Sequence, residues 1–186
     1  MLGTKIGCGM LIMPIEGAEV DFEKIAKIID KHIPKGTVRD TIKVDFSDSL
    51  SRLACQNFDK DKALRSIGTL GEWQFIAIAT DVTDRIFLLV YSDARSLAKQ
   101  VGEFYINSSE YLEGEQMLNY FKDIGILQTY AELNRTVIAN TIIDKIGAKR
   151  CSSKSIRYNY INIKDMTLHL GDIPEEFGFN ILKKYD

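Results

Sequence analysis

The residues of this chain best suited to contact a charged ligand form a basic segment at positions 145–163. This segment has five basic and no acidic side chains, although the net charge of the 186-residue chain is −2. Lysine and arginine neutralise phosphates, and aromatic rings stack on bases, so a mixture of the two is what a nucleic-acid surface needs. The candidate binding surface consists of Lys145, Lys149, Arg150, Lys154, Arg157, Tyr158 and Tyr160.

An acidic stretch before the basic segment offers a second interpretation. Residues 93–144 contain eight acidic and four basic side chains. The basic segment would then dock on an acidic face, either within the chain or on a second copy of it. The candidate docking face consists of Glu103, Glu110, Glu113 and Glu115. Both interpretations stay open at the level of the sequence.

Residue types that carry most catalysis and metal binding are scarce. His32 is expected in the last turn of a helix, and His169 on the polar side of a strand, where a lone surface histidine is the simplest interpretation. No serine lies in a G-x-S-x-G turn, and no complete phosphate-binding glycine motif is present. We therefore expect no cofactor and no metal, assign no catalytic residue, and favour a non-enzymatic protein while leaving an enzyme of undetected class open.

The three cysteines, Cys8, Cys55 and Cys151, are widely spaced and form no C-x-x-C pair. This pattern favours a reducing, cytoplasmic setting over a disulfide framework or a zinc site. Cys151 lies among Lys149, Arg150 and Lys154, and nearby cations lower a thiol pKa. A reactive thiol at Cys151 is therefore one hypothesis.

The strongest structural pattern is a hairpin at residues 73–91. Two apolar runs, WQFIAIAT and RIFLLVY, flank a short loop with Asp81 and Asp84, as is typical of paired antiparallel strands. Both faces of the first run are apolar, so the strand should be covered on both sides. The hairpin is therefore predicted to lie in the middle of a sheet.

Two predicted helices and a hairpin follow the acidic stretch. Gly125 should end a helix at 110–124, and Thr129 with Glu132 forms a capping-box pattern for a helix at 129–146. A hairpin over 155–170, with its turn at Lys164-Asp165, comes next. This order is that of a winged helix, in which the second helix enters the major groove.

The remaining elements follow from periodicity and capping signals. The first is an edge or near-edge strand at 4–15, in which Gly7 and Gly9 mark a bulge or a close backbone approach. It is followed by a helix at 21–33 capped by Asp21, a strand at 37–46 and one or two short helices at 47–67. After the hairpin come a helix at 93–105 capped by Ser92 or Asp93 and, near the end, a short helix at Pro174, Glu175 and Glu176.

These elements predict an α+β fold. A mostly antiparallel sheet would be built on the 73–91 hairpin, with helices 21–33 and 93–105 packed against it. Residues 1–126 would form this sheet domain, and residues 127–186 a helix-hairpin-helix lobe that is either separate from or continuous with it. The hairpin and helix at roughly 72–125 are similar in outline to longin and roadblock-type platforms, which implies a non-catalytic scaffold for protein partners. The chain departs from the longin order because a helix follows its first strand.

The first functional hypothesis is a cytoplasmic binding, regulatory or adaptor protein that acts through protein contacts with a partner or as a homodimer. The second is a winged-helix-like nucleic-acid binder that uses residues 145–163. No apolar run reaches the roughly 18 residues that a membrane helix needs, so no membrane partner is expected.

Overall fold

A five-stranded antiparallel sheet forms the centre of the fold in the computed structural model, which describes residues 5–109, 111–171 and 178–186. The strands are β1 Gly9–Pro14, β2 Phe75–Thr80, β3 Ile86–Ser92, β4 Lys154–Arg157, β5 Asn159–Asn162, β6 Thr167–Leu170 and β7 Asn180–Tyr185. The helices are α1 Phe22–His32, α2 Ser47–Ser51, α3 Lys60–Arg65, α4 Arg95–Ser108 and α5 Gly114–Ile146. The predicted α+β class and the antiparallel sheet on a central hairpin are confirmed.

The sheet has the strand order β4-β1-β3-β2-β7, and β5 and β6 form a separate two-stranded hairpin. All neighbouring strands are antiparallel. With α2, α3 and α4 set aside as additions, the succession β1-α1-β2-β3-α5-β4 with the spatial order 4-1-3-2 is the split β-α-β arrangement of ferredoxin-like folds. Strand β7 extends that arrangement beyond β2. Many unrelated functions use this arrangement, so it fixes no activity.

The two faces of the sheet are covered differently. Leu88 and Val90 of β3 belong to a buried cluster with Ile29 of α1 and Ile142 of α5, so both helices lie on one face. Alternate residues face the opposite side, as the two-residue repeat of a strand requires. On that side the rings of Phe75 and Tyr91 stack with centroids 5.2 Å apart, and those of Tyr91 and Tyr158 with centroids 5.7 Å apart.

Helix α5 also holds irregular segments in place through buried polar side chains. The Asp123 carboxylate accepts hydrogen bonds from the Ala54 N–H at 2.9 Å and from the Tyr105 hydroxyl at 2.9 Å. The Asn134 amide oxygen accepts one from the Gly68 N–H at 2.6 Å. Buried donors without partners cost free energy, so these side chains explain how loops with little regular structure keep fixed positions.

A buried arginine extends this role to the sheet. Arg135 is 1% exposed, and its guanidinium donates to the backbone carbonyls of Gly7 at 2.9 Å and Ser92 at 2.8 Å. Burial lowers the pKa of Arg135 to about 10. The side chain therefore links α5 to the ends of β1 and β3 through carbonyl dipoles.

The predicted helix end at Gly125 is wrong. Helix α5 continues through it, and the Thr129 hydroxyl donates to the Gly125 carbonyl at 2.9 Å within the helix rather than capping a new one. Ile124, Leu127 and Ala131 lie in one buried cluster on either side of the glycine. Their packing outweighs the roughly 1 kcal/mol that glycine costs inside a helix. The two packed helices of the winged-helix interpretation are thus a single helix.

The predicted strand at 37–46 is also wrong. The neighbouring Lys35 forms an isolated bridge with Leu70, but residues 37–46 contain no strand. Ile42, an apolar residue of the alternating pattern, is 45% exposed. The Arg39 guanidinium instead donates to the carbonyls of Ile67 at 3.2 Å and Gly68 at 2.6 Å. Residues 37–46 are therefore held by side-chain hydrogen bonds of Arg39 instead of by the backbone hydrogen bonds of a strand.

Helix α4 packs mainly on α5 rather than on the sheet, contrary to the prediction. Leu97, Val101 and Tyr105 share a buried cluster with Ile124 and Leu127 of α5. The N-cap residue of α4 is Ala94, one position after Asp93 and two after Ser92, the two predicted caps. The Asp93 carboxylate nevertheless accepts a hydrogen bond from the Arg95 N–H at 2.7 Å.

Several other predictions are confirmed in the described residues. Helix α1 is capped by the Asp21 side chain, which accepts from the Lys24 N–H at 3.0 Å. The segment 47–67 contains two short helices. Gly9 marks a close backbone approach, because an added Cβ would lie less than 3.0 Å from the Ile156 carbonyl oxygen.

The end of the chain departs from the sequence prediction. Strand β7 was not predicted, and it pairs with β2 at the far edge of the sheet. The predicted helix at Pro174, Glu175 and Glu176 lies outside the described residues. Helix α5 crosses the predicted domain boundary at 126/127, and β4 and β7 from the second predicted domain join the sheet of the first. In the described ranges, no helix has both the length and the hydropathy required to cross a bilayer.

Candidate functional site

A groove of about 680 Å³ lies between α5 and the outer edge of the sheet. One wall is formed by the four consecutive residues of β4, Lys154–Arg157, and the other by α5. The helical wall consists of Phe121, Ile124, Gly125, Gln128 and Glu132. These positions share one helix face because they recur at intervals of three or four residues.

Strand β4 presents unpaired backbone groups at this groove. Its inner side pairs with β1, and no strand in the described part of the chain pairs with its outer side. The Tyr158 N–H donates to the Cys8 carbonyl at 2.9 Å. Because inward and outward bonding alternate along an antiparallel ladder, Ile156 bonds to β1 whereas the N–H and C=O groups of Ser155 and Arg157 point outward. The groove is therefore bordered by a strand edge that can accept another strand.

The side chains of the groove combine apolar and charged groups. Ile124 is buried, and Phe121 and Ile161 are half-buried, whereas the side chain of Ile156 packs in the cluster on the opposite face of the sheet. The Arg157 guanidinium lies 3.8 Å from the Glu132 carboxylate, and these side chains are 49% and 42% exposed. This spacing exceeds the 2.7–2.9 Å of a close charge-assisted hydrogen bond, so the pair leaves Arg157 able to bind another carboxylate. The Ser155 hydroxyl is buried without a hydrogen-bond partner.

A second recess of about 360 Å³ continues the groove beyond Phe121 and Ile161, which line both spaces. It lies between the start of α5 and the β5–β6 hairpin. Its remaining lining, among the residues that the structure describes, is apolar or aromatic and contains no charged side chain: Tyr111, Leu112, Met117, Tyr120, Met166 and Leu168. Met166 and Leu168 are 54% and 44% exposed. The recess is therefore an apolar surface open to solvent.

The structure separates the basic residues that the sequence groups together. Only Lys154, Arg157 and Tyr160 of the predicted binding surface line the groove. Lys145 is exposed in the last turn of α5, and the Lys149 N–H donates to the Glu16 carbonyl at 2.9 Å. The predicted surface is thus distributed over a helix end, a loop and a strand edge.

The two arginines of the segment already have acidic partners. The Arg150 guanidinium donates to the Asp144 carboxylate at 2.8 Å, and Arg157 faces Glu132. The Arg150–Asp144 hydrogen bond raises the pKa of Arg150 and lowers that of Asp144. The charges of these two arginines therefore have partners on α5 that lie outside the predicted docking face.

The predicted acidic docking face has its own local contacts. Glu103 pairs with Lys99 at 3.8 Å, and Glu113 and Glu115 lie at the start of α5. Glu110 lies outside the described residues. None of the ion pairs found in the described residues joins this face to the basic segment.

The tyrosines are placed differently from a base-stacking surface. Tyr158 is 9% exposed, and one face of its ring is covered by Tyr91. The Tyr160 ring stacks on the His169 ring with centroids 4.4 Å apart and planes 5° apart. Base stacking needs accessible ring faces. The arrangement therefore gives these rings a packing role in the sheet and the hairpin.

The surroundings of Cys151 raise the pKa of its thiol, whereas the reactive-thiol hypothesis requires a lowered pKa. Partial burial and the neighbouring Glu16 carboxylate raise the pKa of the Cys151 thiol, and the opposite influence of Lys149 is smaller. In the parts of the chain that the structure describes, no group of three or more His, Cys, Asp and Glu side chains is placed to hold a metal ion.

The sequence contained one usable signal for the groove that the prediction missed. Phe121, Ile124, Gln128 and Glu132 form a continuous helical stripe once the helix is extended through Gly125. No family model matches this chain, and comparison with curated proteins gives no significant match. The site must therefore be interpreted from its own geometry.

Proposed function

We propose that this chain is a non-enzymatic protein-binding module that receives an extended segment of a partner protein along the outer edge of β4. The observation that supports the proposal is the coincidence of an open strand edge with a groove that has an apolar floor. Strand addition of this kind uses main-chain hydrogen bonds for affinity and side-chain pockets for specificity. A regulatory or adaptor role follows from such binding.

The position of the outward groups favours an extended ligand. Ser155 and Arg157 each direct one N–H and one C=O outward, and their side chains lie on the α5 side of the strand. A partner strand paired with these two residues would direct alternate side chains toward Phe121 and Ile124 on α5. The same groove would give a helical ligand no partner for the backbone groups of β4.

The decisive variant is Ser155→Pro. Proline lacks the outward N–H of residue 155, and the bonds of β4 to β1 involve its neighbours, so the fold should be retained. Ser155→Ala is the matched control, because it removes the unpartnered hydroxyl but keeps the N–H. In a selection from a phage-displayed library of random peptides of about twelve residues, the parent and Ser155→Ala should enrich common sequences that Ser155→Pro does not bind.

Amide hydrogen exchange supplies a residue-level measurement. In the free protein, the Ser155 and Arg157 amides should exchange quickly and the Ile156 amide slowly, because only Ile156 bonds to β1. Addition of a selected peptide should slow exchange at Ser155 and Arg157. Selected peptides that bind Ser155→Pro as well as the parent, or leave these two amides unprotected, would refute strand addition.

A further inference from the structure

The groove and the adjoining recess also indicate the chemistry of the partner segment. This inference rests on the proposed function. We infer that the segment carries a carboxylate that contacts Arg157 and, a few residues away, a large apolar side chain that enters the recess between α5 and the β5–β6 hairpin. The partner is thus an acidic and apolar linear segment of another protein.

Charge complementarity supports the acidic part. Among the described residues that line the groove, the charged groups are Lys154, Arg157 and Glu132, so two cations face one carboxylate there. Arg157 is held only loosely by Glu132, at 3.8 Å. A ligand carboxylate on the guanidinium could form the shorter, two-bond geometry that arginine prefers. A basic ligand would instead meet both cations of the strand.

The same charges disfavour pairing of this edge with a second copy of itself. Two β4 edges would bring two copies of Lys154 and Arg157 together within four residues of strand on each side. Like charges on neighbouring strands are destabilising, and lysine on an edge strand is a known defence against self-association. An acidic segment of a different protein meets no such repulsion.

Continuity of the recess with the groove supports the apolar part. Ile161 lies four residues beyond Arg157, which limits the separation of the two residues to at most roughly 13 Å, the length of four extended residues. The described lining of the recess carries no charge, and Met117 and Met166 give it side chains that adapt to different apolar shapes. A leucine, methionine or aromatic residue about four positions from the carboxylate would therefore reach it.

The library selection tests this chemistry directly. The sequences enriched on the parent over Ser155→Pro should contain aspartate or glutamate and, about four positions away, a large apolar residue. Replacement of that apolar residue by alanine should weaken binding to the parent about tenfold. Enrichment of basic sequences, or of sequences without an apolar position, would overturn the inferred chemistry while leaving strand addition intact.

Variants of the protein complete the test. Arg157→Gln should weaken a selected acidic peptide about tenfold and flatten the salt dependence of its binding. Leu168→Ala should weaken binding, whereas Leu182→Ala, a leucine on β7 with similar exposure (48% against 44%), should leave it unchanged. Equal affinities for Leu168→Ala and Leu182→Ala would refute the recess as the anchor site.

Occupation of the groove by a second copy of the chain, the alternative to a partner protein, can also be measured. We expect the parent to form no dimer through this groove, so sedimentation should give the same oligomeric state for the parent and for Ser155→Pro. A dimer lost in Ser155→Pro and retained in Ser155→Ala would assign the groove to a second copy of the chain and overturn the inference. Failure of the parent to enrich any peptide over Ser155→Pro would overturn the proposed function itself.

Discussion

Gly9→Ala should weaken the attachment of β4 to the sheet, because a methyl group added at this glycine would meet the backbone of β4. An added methyl group would lie less than 3.0 Å from the Ile156 carbonyl oxygen, and a backbone atom cannot rotate away. Carbon–oxygen contacts between strands are usually about 3.3–3.6 Å, so β4 would have to move by roughly 1 Å. Gly9 has no positive φ, so the effect would come from this contact rather than from backbone strain.

The free-energy cost follows from the hydrogen bonds that this movement breaks. The bond from Tyr158 N–H to the Cys8 carbonyl is 2.9 Å, and a displacement of roughly 1 Å would take it beyond hydrogen-bonding distance. The bonds between Ile156 and Met10 would stretch similarly. At about 0.5–1.5 kcal/mol for each bond, the free energy of unfolding should fall by about 2–4 kcal/mol.

Urea unfolding followed by far-ultraviolet circular dichroism measures this loss. Fluorescence of the single tryptophan is a poor probe because Trp73 is 92% exposed in the folded chain. Gly125→Ala is the control, since nothing lies within 4 Å of its added methyl group and alanine favours a helix interior. It should raise stability by about 0.5–1 kcal/mol. A Gly9→Ala protein within 0.5 kcal/mol of the parent, with slow Ile156 amide exchange, would refute the reasoning.

Two further predictions concern a buried carboxylate and a thiol. Asp123→Ala should lower the free energy of unfolding by about 3–5 kcal/mol, because the Ala54 and Cys55 N–H groups and the Tyr105 hydroxyl lose their acceptor. Tyr105→Phe should cost less, since it removes one donor, and an equal loss in chemical denaturation would contradict this account. Cys151 should react more slowly with iodoacetamide at pH 7 than a free cysteine, because burial and Glu16 raise its pKa and reduce the thiolate fraction. The rate should increase as pH rises through that elevated pKa, and fast labelling at pH 7 would show a lowered one.

Local patterns predicted the regular elements of the fold better than the relations between them. The hairpin of β2 and β3 and the capped helix α1 follow from apolar runs and from Asp21, which act over a few residues. The continuity of α5 through Gly125 depends on a cluster assembled from α4, the loops and α5 itself. The segment predicted as a strand at 37–46 alternates in sequence, but β4 and β7 occupy the positions beside β1 and β2, and the side-chain hydrogen bonds of Arg39 hold the segment instead.

The candidate site shows the same division. The charge of the basic segment was evident from composition, and it led to Lys154 and Arg157. Whether β4 lies at an edge depends on where residues 180–185 pair, which a local pattern does not specify. The ion pairs of Arg150 with Asp144 and of Arg157 with Glu132 depend on where α5 ends and on its position beside β4. The first pair is close and occupies Arg150, whereas the second leaves Arg157 as the arginine of the segment that can still contact a ligand.

The bend at Tyr158 divides the nine residues Lys154–Asn162 into two strands with different partners. Before it, β4 belongs to the central sheet; after it, the only strand that β5 pairs with in the described residues is β6. Residues 163–168 are exposed and lie outside the ladder between β1 and β4, so they can change in length or side chains while that ladder is preserved. Evolution or protein design can therefore alter the ligand preference by changing this part of the hairpin while the rest of the fold stays the same.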